Sequence, residues 1–197
     1  MIIAADPKNL GEEIVQKIAE IIKKGGLVIF PTDTVYGILV DARNKKAVEK
    51  IFKIKERPKT KPLAIFVKDM EMAEKYVFIN EKQRKFLEKN WPGKITVILK
   101  SKNELAEGVE TKNETIGIRI PDYELINLLF KKIDFPMAQT SANISGKEAT
   151  TKIKEILGQF EGEKSKPDLI VDAGDLPENK PSKIIDLTAE NPITLRF

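Results

Sequence analysis

Neither cysteine nor histidine occurs in the 197 residues of this chain. Those two absences exclude thiolate nucleophiles, disulfides, imidazole general bases and nearly every zinc site. Catalysis has to run on Lys, Arg, Asp, Glu, Ser, Thr, Tyr, backbone groups or an added metal. Aromatic residues are sparse at 7%, with one tryptophan and three tyrosines, and no K/R-G-F/Y-G/A-F stretch offers a sheet on which bases would stack. No apolar run approaches the roughly 20 residues that cross a bilayer, and the opening MIIAADPKNL lacks a basic segment leading into an apolar core. The expectation is a soluble, cytoplasmic protein with no membrane partner, in which the sequons at Asn113 and Asn143 are chance matches. The common nucleotide signatures, GxxxxGK[ST] and GxGxxG after a strand, are missing too, so ATP would need another device. There is no internal repeat and no low-complexity tract.

What is present is charge: 32% of the residues, mostly Lys and Glu, with a net value of +4. The Lys/Glu bias is thermophile-like, and the positive balance favours anionic partners such as nucleotides or RNA. The length suits one domain spanning 1–197, with a single core.

Apolar periodicity places a short strand at 1–5. Asp6 and Pro7 then cap a helix that runs to about Lys24, with Leu10, Ile14, Ile18 and Ile21 as its buried stripe. Leu27 to Phe30 form a continuous apolar run, as expected of a strand covered on both faces. A helix from about Asn44 carries Ala47, Val48, Ile51 and Phe52 on one face and stops before Pro58. Strands are expected at 61–67, 94–100, 115–120, 135–140, 168–172, 182–187 and 192–197. Helices are expected at 69–75, 80–90, 122–132 and 151–159. This alternation argues for an α/β or α+β layer structure around one twisted, mixed sheet flanked by helices. The polar stretch EGEKSKPD reads as a loop rather than a domain linker, because the residues after it are too few for a core of their own.

Five stretches concentrate polar chemistry. "PTDTVYG" (31–37) leaves the buried strand with two hydroxyls, a carboxylate and a phenol. In "KIKERPKTKPL", Lys55 extends the row Ala47, Ile51 and emerges at the last helical turn, while Pro58 biases Arg57 toward an extended backbone beyond the helix. Cations also suit a helix C-terminus through its dipole, so this stretch alone decides nothing. In "TIGIRIP", strand alternation sets Ile116, Ile118 and Ile120 on one face and Thr115, Gly117 and Arg119 on the other, a cleared slot or an ordinary solvated face. "TSANISG" could cradle an anion or satisfy a turn. "KPSKIIDL" and "PITLRF" place Ser182 and Arg196 on strands near the end.

Taken together, in this order and spacing, these stretches resemble the YrdC-type threonylcarbamoyl-AMP synthases over nearly the whole chain. The resemblance implies an α/β twisted sheet with a concave, positively charged cleft. It implies an enzyme that joins L-threonine, bicarbonate and ATP, with Mg2+ accompanying the ATP, into threonylcarbamoyl-AMP and pyrophosphate. The product would pass to a separate transferase that modifies adenosine beside the tRNA anticodon, and contact with tRNA itself is conceivable on this basis. The catalytic Lys-x-Arg and Ser-x-Asn pairs fall on Lys55, Arg57, Ser141 and Asn143, at the nucleotide end. Lys61, Thr115 and Arg196 match further ATP-binding positions, and Thr32, Thr34, Arg119 and Ser182 match the threonine side. Phe66 and Ala149 depart from the histidine and serine of some members, and Arg196 lacks the usual Pro-Gly after it. Two alternatives are an RNA-binding module without turnover and a related carbamoyl-transfer paralog. Salt-sensitive tRNA binding without ATP use would identify the first, and a preference for another amine the second.

Overall fold

In the computed structural model, which describes residues 1–6, 11–161, 165–179 and 181–196, the elements follow in alternation. They are β1 (Ile2–Ala4), α1 (Glu12–Lys23), β2 (Val28–Phe30), β3 (Gly37–Asp41), α2 (Lys45–Ile54), β4 (Ala64–Phe66), α3 (Met70–Tyr76) and α4 (Glu81–Asn90). Then come β5 (Ile95–Lys100), β6 (Thr115–Arg119), α5 (Glu124–Phe130), β7 (Met137–Ser141), α6 (Ile153–Phe160), β8 (Leu169–Asp172), β9 (Lys183–Asp186) and β10 (Ile193–Arg196). All the strands join one ten-stranded mixed sheet in the order β1-β8-β2-β3-β7-β4-β6-β5-β9-β10. The α/β architecture expected from the alternation is therefore the one observed.

Two expectations need correction. The set of strands expected from sequence lacks β3, although all five of its residues are buried and it pairs antiparallel with both β2 and β7. Its run GILVD is too short to show a period, and it is recognisable only once two neighbours are in place. Helix α1 begins at Glu12 after Gly11, not at an Asp6 cap; Pro7 and Leu10 lie outside the described residues, as does Phe197 at the end of the last expected strand. The buried stripe of α1 is Val15, Ile18, Ala19 and Ile22, with Ile14 and Ile21 at its margins. Among helix starts, Asn44 caps α2 by accepting from Ala47 N at 3.1 Å, and Asn80 with Gln83 forms a capping box on α4. Each satisfies amide donors that a helix leaves unpaired.

The strand register sorts side chains into two faces. Ala138 lies across from Val40 and Ile65, Ile65 from Ile118, and Ile118 from Val97, and all five are fully buried. On the other face Ala64 lies across from Gly117 and Gln139, and Phe66 from Arg119. Thr96 precedes Val97 and so shares the Arg119 face, and Ile184 continues that row from Thr96 to Arg196 on the edge strand. The alternation expected for β6 is thus realised, and its polar side faces a cavity rather than open solvent.

Candidate active site

The cavity has a volume of about 240 Å³ and draws on the β2–β3 loop, the end of α2 and one face of the sheet from β3 to β10. Its floor includes Ala64 and Thr96, which close over Gly117. A Cβ there would stand 3.2 Å from Ala64 Cβ and 3.5 Å from Thr96 Cγ2, so any side chain would crowd the two residues that flank it.

Of the residues singled out from sequence, Thr32, Thr34, Arg57 and Arg119 line this cavity, together with Ser141, Ser182 and Arg196. Phe66 and Ala149 line it as well. Lys55, Asn143, Lys61 and Thr115 do not. Thr115 shares a 2.7 Å hydroxyl contact with Thr111; Thr111, and Pro62 beside Lys61, line a neighbouring cavity of about 570 Å³.

Lys55 is only 1% exposed. Helix α2 ends just before it in a tight C-cap: Arg57 N donates to Phe52 O at 2.9 Å and Glu56 N to Lys53 O at 3.2 Å, with Glu56 at φ 49°. That position normally takes glycine; a glutamate there stores strain of about 1 kcal/mol. The turn aims Lys55 into the protein, where Nζ donates to Ser141 O at 2.6 Å, Asn143 O at 2.5 Å and Asn143 Oδ1 at 3.1 Å. Burial, and then the charge of Arg57, pushes the Lys55 amine down to about 7, while the three oxygens around it hold its proton. The same turn is stitched by Ser141 Oγ donating to Asn143 Oδ1 at 2.6 Å and Asn143 Nδ2 donating to Ile144 O and Lys147 O. Lys55, Ser141 and Asn143 therefore converge, but Lys55 meets the cavity only through Ser141. Arg57 turns the other way: Nε and Nη2 donate to Lys61 O and Pro62 O at 2.8 and 2.9 Å.

The 31–37 loop is held by its own hydroxyls. Thr32 Oγ1 donates to Val35 O at 2.7 Å and accepts from Thr34 N at 3.1 Å. Its single proton is thereby committed, so in the 3.0 Å contact between the two hydroxyls Thr34 is the donor. Thr34 Oγ1 then faces the cavity as an acceptor. Between them, Asp33 accepts from Arg119 Nη2, and the side chains of this pair are 2% and 6% exposed. Burial pushes the Asp33 carboxyl up, opposed first by Arg119 and then by Lys94, and its Oδ1 is buried without a hydrogen-bond partner. Arg119 Nε donates to Gly93 O at 2.6 Å, and its guanidinium carbon stands 5.7 Å from the Phe66 ring centre. One edge of the guanidinium is thus engaged, and Nη1 carries no hydrogen bond among the described residues.

Tyr36 closes the loop: its hydroxyl donates to Gly174 O at 2.7 Å and accepts from Ala173 N at 3.0 Å. Burial, opposed by the hydrogen bond from Ala173 N and reinforced by the negative charges of Asp172 and Asp175, pushes this phenol up to about 12 from 10.0. Between those values the unfolded chain has lost the proton that the folded chain retains, so folding stability falls as pH rises from 10 toward 12. Tyr36→Phe should flatten that decline, read from denaturant unfolding across the same window, and it should cost about 1–3 kcal/mol at neutral pH by orphaning Ala173 N and Gly174 O.

Sequence reasoning passed over Asp33, Tyr36 and Thr96 as members of the site. Asp33 and Tyr36 sit inside a stretch already conspicuous for polarity, whereas Thr96 stands in an apolar strand and carries no local signal.

A family model, Sua5/YciO/YrdC, described as "Telomere recombination", matches residues 20–197. A Methanocaldococcus jannaschii protein named "Putative threonylcarbamoyl-AMP synthase" is 41% identical over 95% of this chain and 89% of its own. The crystal structure of Pyrococcus abyssi Sua5 complexed with L-threonine superposes with a TM-score of 0.91 at 32% identity, covering 100% of this chain and 57% of that one. Escherichia coli YciO superposes at 0.89 with 29% identity, covering 100% and 94%. The chain therefore spans little more than half the length of the solved Sua5.

Proposed function

Because this chain belongs to the Sua5/YciO/YrdC family, we propose that it is a threonylcarbamoyl-AMP synthase acting on L-threonine, bicarbonate or dissolved CO2, and ATP. The observation that carries this reading is one small cavity holding hydroxyls and the guanidinium groups of Arg57, Arg119 and Arg196, in a fold that superposes on a Sua5 complexed with L-threonine.

The reaction suits a chain without Cys or His. The threonine nitrogen bonds to carbon dioxide and releases a proton, giving a carbamate. A carbamate oxygen then attacks the α-phosphorus of ATP and pyrophosphate leaves with the electron pair of the broken P–O bond. No covalent enzyme intermediate is needed. The work of the protein is to bring anions together in line, and cations oppose their repulsion: unit charges about 4 Å apart interact by roughly 4 kcal/mol at an effective dielectric near 20. A millionfold acceleration needs about 8 kcal/mol, so a few such contacts are of the right order. In this reading Arg57 and Ser141 face the nucleotide, backed by the turn that Lys55 and Asn143 hold, with Lys61 and Thr115 toward the adjoining cavity. Thr34, Arg119 and Ser182 face the amino acid.

Among the described residues no group of three acidic side chains could hold a metal by itself, and Asp33 is engaged by Arg119. Mg2+ would accordingly enter on the oxygens of the triphosphate and supply charge neutralisation there. No helix among the described residues is long and apolar enough to cross a membrane, and the proposed place of action is the cytoplasm. There the product would pass to a separate transferase for N6-threonylcarbamoyladenosine formation in tRNA.

The purified protein should release pyrophosphate from ATP only when L-threonine and bicarbonate are both present. Release indifferent to threonine would overturn the proposal, and release driven better by another amine would reassign the substrate.

A further inference from the structure

Hydrogen-bond donors and acceptors are divided unevenly around the cavity. On the side of the 31–37 loop, the Thr32 proton is committed to Val35 and Thr34 offers an acceptor. On the side of β5, β9 and β10 the balance is reversed. Thr96 Oγ1 and Ser182 Oγ lie 3.0 Å apart and are 4% and 7% exposed. Arg196 Nη2 donates to Ser182 Oγ at 3.2 Å, and its Nε and Nη2 donate to Ser182 O at 2.9 and 2.7 Å. The two hydroxyls own two protons, and the contact between them consumes one. Whichever residue donates, the other O–H is left without an acceptor among the described residues, on the wall of a cavity that both residues line. A buried O–H without a partner costs about 1–3 kcal/mol, so a ligand acceptor belongs there.

The orientation of this pair is built into the sheet. The Cγ2 methyl of Thr96 lies over the space left by Gly117, and a β-branched side chain with its methyl so placed has its hydroxyl direction set. Thr96 therefore turns its oxygen toward Ser182, while Arg196 holds Ser182 from the far side. Arg119 and Arg196 both line the cavity; burial makes Arg119 harder to protonate, Asp33 opposes this, and the like charge of Arg196 adds to it, so an anion between the two guanidiniums relieves their repulsion.

We propose that Thr96 is a positioning residue which, with Arg196, directs a single hydroxyl proton of the Thr96–Ser182 pair onto a planar carboxylate-type group held beside Arg119. This rests on the synthase reading above, and it gives Arg196, whose position matches an ATP-binding one, an additional role toward the amino-acid side through Ser182. Two substrates of that reaction carry such a group, the carboxylate of the amino acid and bicarbonate or the carbamate made from it. The donor wall opposite the Thr34 acceptor favours the amino acid, whose carboxylate and amine would meet opposite walls.

The test uses the full-length chain, Thr96→Val, which keeps the shape without the hydroxyl, and Thr96→Ser, which keeps the hydroxyl without the methyl. Initial rates of pyrophosphate release would be measured against threonine, bicarbonate and ATP separately, with thermal midpoints alongside. Thr96→Val should raise the KM for threonine about tenfold, the scale of one hydrogen bond to a charged group, with the KM for ATP unchanged and the midpoint little altered. Thr96→Ser should recover most of the loss. A rise in the KM for bicarbonate instead of threonine supports the site and moves its occupant to the carbamate. An unchanged KM for both, equal increases for all three substrates, or a serine variant as impaired as valine would overturn the proposal. If the unmodified protein releases pyrophosphate without needing threonine, the synthase reading itself fails, an outcome separate from a threonine-dependent enzyme indifferent to Thr96→Val.

Discussion

Lys55→Met should reduce threonine-dependent pyrophosphate release by well over tenfold and lower the thermal midpoint as well. The lysine is not a loose cation at a helix end: its ammonium is the common donor to Ser141 O, Asn143 O and Asn143 Oδ1. Methionine fills the same channel but leaves three oxygens converging on a thioether that donates nothing. Hydrogen bonds from a charged group are worth about 1.5–3 kcal/mol each, and the loss is partly offset by no longer burying a charge. A net cost of about 3 kcal/mol is expected, or about 6–12 °C at the usual 2–4 °C per kcal/mol for a chain of this size. Activity falls for a separate reason, because the 141–147 turn presents Ser141 to the cavity and Lys55 is its internal brace. A methionine variant with unaltered midpoint and turnover would show that the turn holds its shape alone. Removing this lysine therefore costs stability as well as activity, whereas removing the Arg57 guanidinium, which takes two loop carbonyls at the surface of the cavity, should disturb the fold less.

The second large effect is expected at Arg119. Arg119→Met strands Asp33 as a buried carboxylate without its ion-pair partner, with only the charge of Lys94 left to offset its burial, and breaking such a pair costs about 3–5 kcal/mol. It also removes the guanidinium edge offered to the cavity, so threonine-dependent turnover should vanish. Adding Asp33→Asn removes the stranded charge, and the double variant should regain most of the lost stability measured by denaturant unfolding while staying inactive. Recovery of neither, or recovery of both, would contradict the roles assigned to the pair. Arg119→Lys is no substitute: a point charge cannot serve Gly93 O and Asp33 at once and still present a free edge.

How far the sequence alone leads differs from element to element. The alternation in TIGIRIP was sufficient to put Arg119 on the polar side of β6, and the four-residue row Ala47, Ile51, Lys55 placed the lysine on the core-facing edge of α2. Both follow from periods a few residues long. β3 escaped because GILVD has no period to read, and α1 was started too early because Asp6-Pro7 is a valid cap signal that competes with Gly11 and the acidic first turn at Glu12 and Glu13. Nothing local could have paired Asp33 with Arg119, or Thr96 with Ser182, each 86 residues apart. Nor could it show that Lys55 spends its donors 88 residues away on Asn143.

The amino-acid sequence by itself determined which chemistry is open to this protein, one of hydroxyls, amines and guanidiniums with no thiol or imidazole, and which face each such group takes on its own helix or strand, because those depend on composition and short-range geometry. Only the tertiary structure decided which groups meet. Strand order and register place β5 beside β6 and β9, and those long-range pairings, not any local preference, choose the partners of Asp33, Arg119, Thr96 and Ser182 and so leave, among the described residues, one O–H of the Thr96–Ser182 pair and one edge of the Arg119 guanidinium without a protein acceptor.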